Sequence, residues 1–87
     1  METVDGNAIG GLLYDVFGTE MTAATGTCAW CGATAQLAET VVYLRAPGTV
    51  ARCRSCLSVQ IVITHVRDMN CVDLRGLAWI EPSPAAP

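Results

Sequence analysis

Apolar residues recur with a helical period near the N-terminus. Ile9, Leu12, Leu13, Val16 and Phe17 fall at i, i+3, i+4, i+7 and i+8, which places them on one stripe. Asp5 or Asn7 can accept hydrogen bonds from the amides of a first turn, and Gly18 suits a C-terminal stop. The period predicts an amphipathic helix within residues 1–21, although Gly10 and Gly11 each cost up to about 1 kcal/mol relative to Ala. Such a helix needs a surface to lie on. From Thr22 onward the pattern shortens to that of strands, with Thr25-Gly26-Thr27 leading into a first cysteine pair. Leu37–Arg45, Thr49–Cys53, Leu57–Arg67, Cys71–Arg75 and Leu77–Glu81 are β-rich, with turns at Ala46-Pro47-Gly48 and Asp68-Met69-Asn70. Alternation within Leu57–Arg67 turns Val59, Ile61 and Ile63 to one face and Val62 and Val66 to the other. The expected fold is a small α+β domain: a helix packed on an antiparallel β-sheet of three to five strands over residues 22–81, with a disordered Pro/Ala tail at 82–87.

Length makes this arrangement marginal. Eighty-seven residues form one domain at most, and so short a chain buries a small fraction of its surface. Disulfides, a metal or a partner would relieve the shortage, and the chain holds five cysteines. The N-terminus carries no positive charge and leads into no long apolar run, so no signal peptide is expected. No stretch approaches the roughly 18 consecutive apolar residues that span a bilayer. Both features point to the cytoplasm, where cysteine pairs serve more often as ligands or redox groups than as disulfides. The odd number of cysteines argues the same way.

Four of the five form a constellation. Cys28-Ala29-Trp30-Cys31 and Cys53-Arg54-Ser55-Cys56 are separated by 21 residues, enough for a hairpin that returns the second pair to the first. Two residues between cysteines allow a tight knuckle with both sulfurs facing one point. Four thiolates at about 2.3 Å satisfy a tetrahedral zinc ion and leave no position open. The spacing therefore predicts one structural metal held by Cys28, Cys31, Cys53 and Cys56, zinc by preference, with iron able to use the same sulfurs. A redox-active pair would sit at a helix N-terminus, and neither pair precedes a helix. Gly32 after the first pair permits positive φ; Leu57 after the second does not do so easily, which predicts a slightly distorted second knuckle. Two residues are left over. Cys71 reads as a small buried hydrophobe in a strand, and His65 as a partly buried, hydrogen-bonded residue too far along its strand to reach the metal.

No catalytic group assembles from the rest. The sequence has no phosphate loop, no metalloprotease motif and no nucleophile–base pair, and closed four-thiolate zinc cannot activate water. The expectation is a non-enzymatic protein with no small-molecule substrate. Nucleic acid is the natural alternative partner, through Arg45, Arg52 and Arg54 with Trp30 and Tyr43 as stacking groups. Charge disfavours it: the net charge is −3, lysine is absent, and four thiolates on one divalent ion add two more negative charges. A hydrophobic content of 52% and a mean hydropathy of +0.40 favour instead a protein partner or a second copy, docked on the helix stripe or a sheet edge.

Several stretches also resemble an uncharacterised family of small proteins from high-G+C bacteria, a domain of unknown function. They are Asp5-Gly6-Asn7-Ala8, Leu12-Leu13, Phe17-Gly18, Met21-Thr22-Ala23-Ala24-Thr25-Gly26-Thr27-Cys28, the two knuckles and Val72-Asp73-Leu74-Arg75-Gly76-Leu77. The resemblance spans roughly Asp5 to Ile80 and implies a zinc ribbon without supplying an activity. Members carry Gly after both knuckles, so Leu57 is a departure.

Overall fold

A computed structural model describes residues 3–45 and 48–81. The expected tail at 82–87 and the Ala46-Pro47 part of the first hairpin turn lie outside the described residues, as does the side chain of Arg45.

The chain opens on a short strand, β1 (Thr3–Asp5), where no periodicity is visible in the sequence. Asp5 then accepts the Asn7 amide at 3.1 Å and caps a 3₁₀ turn, Gly6–Ile9, which runs directly into helix α1 (Gly10–Phe17). Gly18 ends the helix in the left-handed conformation expected of it. The stripe packs on the protein's own core. Ile9 and Leu13 are buried, and Leu12, Val16 and Phe17 lie against the same cluster, which includes Met21, Leu37, Val42, Ala51, Ile61 and Ile63.

Among the described residues, eight strands pair antiparallel in two sheets where one was expected. The larger has the order β1-β4-β5-β6-β7, built from β4 (Val41–Arg45), β5 (Gly48–Arg52), β6 (Val59–Val66) and β7 (Met69–Asp73) with β1 at one edge. The smaller has the order β3-β2-β8, from β2 (Thr25–Cys28), β3 (Thr34–Gln36) and β8 (Leu77–Glu81). The division has a local cause at Leu74–Leu77. Leu77 donates to the Leu74 carbonyl at 3.0 Å, and this turn carries β8 away from β7 to pair with β2. The expected strand start at Leu37–Glu39 is a 3₁₀ turn instead. There the Glu39 carboxylate accepts the Gln36 amide and the buried Thr40 hydroxyl donates to the Leu37 carbonyl, so local side-chain bonds displace the ladder.

Alternation in β6 holds over most of its length: Ile61 and Ile63 are buried, while Val62 and Val66 are not. At its start the register with β5 shifts, Ala51 pairing Ile61 while Arg52 pairs Val59. Gln60 is the extra residue of this bulge, and it is buried.

Candidate metal centre

The two cysteine pairs hang from different sheets. Cys28 closes β2 of the small sheet, and Cys53 follows β5 of the large one. Their turns are built alike. In the first, Gly32 donates to the Cys28 carbonyl at 3.0 Å and Cys28 to the Ala33 carbonyl at 2.9 Å. In the second, Leu57 donates to the Cys53 carbonyl at 2.8 Å and Cys53 to the Ser58 carbonyl at 2.9 Å. The match extends to the sulfurs: Trp30 N–H points at Cys28 Sγ at 3.4 Å, and Ser55 N–H at Cys53 Sγ at 3.3 Å.

This likeness corrects the expected distortion at Leu57. Gly32 has φ of 76° and Leu57 has φ of 63°, so both turns adopt the left-handed residue and the second carries it on a leucine. The cost falls on the backbone, on the order of 1 kcal/mol for a side chain in that region. Leu57→Gly should therefore raise the free energy of unfolding by about 1 kcal/mol. Denaturant titration of the two proteins checks this, and a lower midpoint for the glycine variant would contradict it.

All four sulfurs lie within 4.8 Å of one another. The Cys28–Cys56 and Cys31–Cys53 Sγ separations are both 3.7 Å. A tetrahedron with metal–sulfur bonds of about 2.3 Å has edges of about 3.8 Å, whereas a disulfide needs about 2.05 Å. The cysteines are thiols, and their spacing is compatible with one metal ion. Cys28 and Cys53 are buried while Cys31 and Cys56 face solvent, so the cluster has an inner and an outer side.

Electrostatics favour a cation at the centre. Burial alone would raise the Cys28 thiol, but the amides of Cys31 and Trp30 and the side chain of Gln60 favour its thiolate and bring it down to about 6. Cys31 moves oppositely. The Ala33 amide favours its thiolate, yet burial and the adjacent sulfurs of Cys53, Cys56 and Cys28 prevail and push it up to about 12. Cys56 is lowered, first by the Ser58 hydroxyl and then by the Ser58 amide. One sulfur ionises readily and its neighbour resists, because like charges are crowded together; a divalent ion removes that repulsion.

The structure brings Cys28, Cys31, Cys53 and Cys56 together, and the two left-over residues, His65 and Cys71, lie outside the cluster. His65 is exposed and hydrogen-bonded to the Asn70 side chain at 3.1 Å; it is not partly buried. Cys71 is exposed as well, contrary to the buried role expected, because it pairs with Thr64 on the face of the sheet opposite the buried Ile61 and Ile63. Two supporting residues had no signal in the sequence. Gln60, at the β6 bulge, favours the Cys28 thiolate, and Ser58, next to Leu57, favours that of Cys56. Of the proposed nucleic-acid arginines, Arg52 donates to the Leu57 carbonyl at 3.0 Å and lies 5.3 Å from the Tyr43 ring centroid. Arg54 sits 3.6 Å from the Glu39 carboxylate.

A match to a family model covers residues 1–85, nearly the whole chain, and the model is described as a family of unknown function. This chain belongs to DUF6510. No curated protein and no solved structure is detectably similar to it. The DUF6510 assignment thus brings no activity with it, and the chemistry of this member rests on its own residues. Among the described residues no helix is long and apolar enough to cross a membrane.

Proposed function

We propose that this DUF6510 protein is a non-enzymatic zinc ribbon of the cytoplasm whose role is to bind another protein. The observation that carries the reading is the closed set of four cysteines, two from each sheet, at tetrahedral spacing. Zinc with four thiolates has no free coordination position, so the ion braces the fold and performs no chemistry. Thiolate sites of this kind persist in reducing compartments. Function then falls to the surface, where Trp30, Met69 and Trp79 are each more than 60% exposed. Large side chains held in solvent by a rigid frame suit protein contact.

Nucleic-acid binding is the weaker reading, since Arg52 and Arg54 are engaged within the chain and the net charge is acidic. Affinity capture from the native host, with and without nuclease, separates the two. Recovery of one protein partner that survives nuclease is the expected result. Salt-sensitive retention of DNA or RNA that is lost in Arg54→Ala would overturn it; Arg54 is the appropriate probe because its side chain is 70% exposed.

A further inference from the structure

Edges of the two sheets differ in how they are guarded. β1 and β3 are three residues long. β8 carries a bulge opposite Thr27 and Cys28, ends at Glu81 and is followed by Pro82. β7 has none of these devices: its five residues, Met69 to Asp73, pair with β6 in unbroken register and contain no lysine and no proline. Its exposed side chains include Met69, Cys71 and Val72, next to the exposed Val66.

The hairpin fixes which main-chain groups of β7 are free. Arg67 and Asp68, both at positive φ, form a two-residue turn closed by the Val66–Met69 pair. The closing pair of such a turn is hydrogen-bonded, and pairs alternate thereafter. Met69, Cys71 and Asp73 therefore bond inward to β6, while the N–H and C=O of Asn70 and Val72 point out of the sheet. An antiparallel copy of the same strand presents the same two residues. Centring the pair on Cys71 sets Asn70 against Val72 of the second copy and Val72 against its Asn70, which satisfies all the outward groups with four hydrogen bonds. Charge permits this meeting. Arg67 and Asp68 balance at one end of the edge, and Asp73 and Arg75, 2.7 Å apart, balance at the other. The excess negative charge of the chain lies elsewhere.

We infer that β7 pairs with β7 of a second copy about a two-fold axis at Cys71, joining the two large sheets into one. The inference deepens the protein-binding reading and rests on it. Cys71 then faces its own counterpart in a non-hydrogen-bonded pair, with Cα atoms about 4.5 Å apart, within disulfide reach. A five-residue edge falls short of the ~800 Å² per partner of a standard interface, so the dimer is weak, half-formed at concentrations on the order of tens of micromolar.

Sedimentation of the metal-loaded full chain across a concentration series tests this, combined with charge placed on the axis. Wild-type and Cys71→Ser proteins should both dimerise. Cys71→Lys and Cys71→Asp should each remain monomeric because like charges meet, and an equimolar mixture of the two should restore the dimer. Oxidation of the metal-loaded protein with limiting diamide should link the wild-type through Cys71 alone, the two thiols giving two electrons and two protons to the N=N bond, which becomes a hydrazine. A chain that stays monomeric to about ten times the expected range would overturn the inference, as would a dimer that persists in both charged variants. Monomeric protein that still captures a nuclease-resistant partner would overturn the dimer and leave the protein-binding reading standing; a monomer that captures none would remove both.

Discussion

Chelation of the metal should abolish the cooperative unfolding transition, and Cys31→Ser should weaken metal retention and lower that transition sharply. The reason lies in what the cysteines join. Cys28 and Cys31 extend from the small sheet, Cys53 and Cys56 from the large one, and the Cys28–Cys56 and Cys31–Cys53 sulfur pairs, both at 3.7 Å, run between the sheets. Leu77 and Ile80 of the small sheet also pack on the cluster of Val42, Ala51, Ile61 and Ile63 from the large one, and the Trp30 indole N–H donates to the Val59 carbonyl at 3.3 Å. Structural zinc contributes on the order of 10 kcal/mol in small domains. That is comparable to the whole stability of an ordinary domain, about 5–15 kcal/mol. Cys31 is the informative position because its side chain is exposed, so serine there disturbs no packing and a large loss must act through the metal. Far- and near-ultraviolet circular dichroism during a thermal scan gives the readout, alongside metal analysis of the purified protein. The expected protein is colourless and holds one zinc; a red chromophore would assign iron to the same sulfurs. Acid should act like a chelator, since each thiolate must take up a proton as the metal leaves. A chelated protein with an unchanged thermal transition would remove the structural role of the site.

The centre was legible because metal ligation imposes spacing on the chain itself. Two residues between cysteines form one turn, and the turn repeats at both ends of a hairpin, so Cys28, Cys31, Cys53 and Cys56 announce their meeting without tertiary information. The helix was legible for a similar reason: the buried stripe, the Asp5 cap of the 3₁₀ turn that leads into it and the Gly18 stop are all local. Features that depend on distant pairing were not. β1 is three residues paired with the distant β4, and nothing in Thr3-Val4-Asp5 marks it as a strand. The split into two sheets depends on where β8 finds a partner, which no alternation pattern encodes. Gln60 is a polar residue within an apolar strand, and at the β6 bulge its buried side chain favours the Cys28 thiolate, as polar groups around metal ligands commonly do. Cys71 was misread because its pairing with Thr64 sets it on the face opposite the buried Ile61 and Ile63, and that register is not visible in the local sequence.

Gly76→Ala should cost at least about 3 kcal/mol and loosen the metal, though it changes a single methyl group and touches no ligand. A Cβ at Gly76 would lie 1.9 Å from the Val59 carbonyl oxygen and 2.5 Å from the Gln60 Cα, both main-chain atoms that cannot swing aside. The chain must shift instead, and two supports of the first cysteine turn shift with it. The Gly76 carbonyl accepts the Ala29 amide at 2.9 Å, within the Cys28–Cys31 turn. Gln60, the residue pressed upon, supplies the side chain that favours the Cys28 thiolate. Competition with a coloured chelator should show metal retention falling roughly 10- to 100-fold, the range seen when groups supporting metal ligands are lost. Gly11→Ala is the matched control. It adds the same methyl at the second residue of α1 with nothing within 4 Å, and should stabilise the protein by up to about 1 kcal/mol with metal affinity unchanged. Equal behaviour of the two variants would mean that the backbone contact at Gly76 does not hold the two sheets in register around the metal.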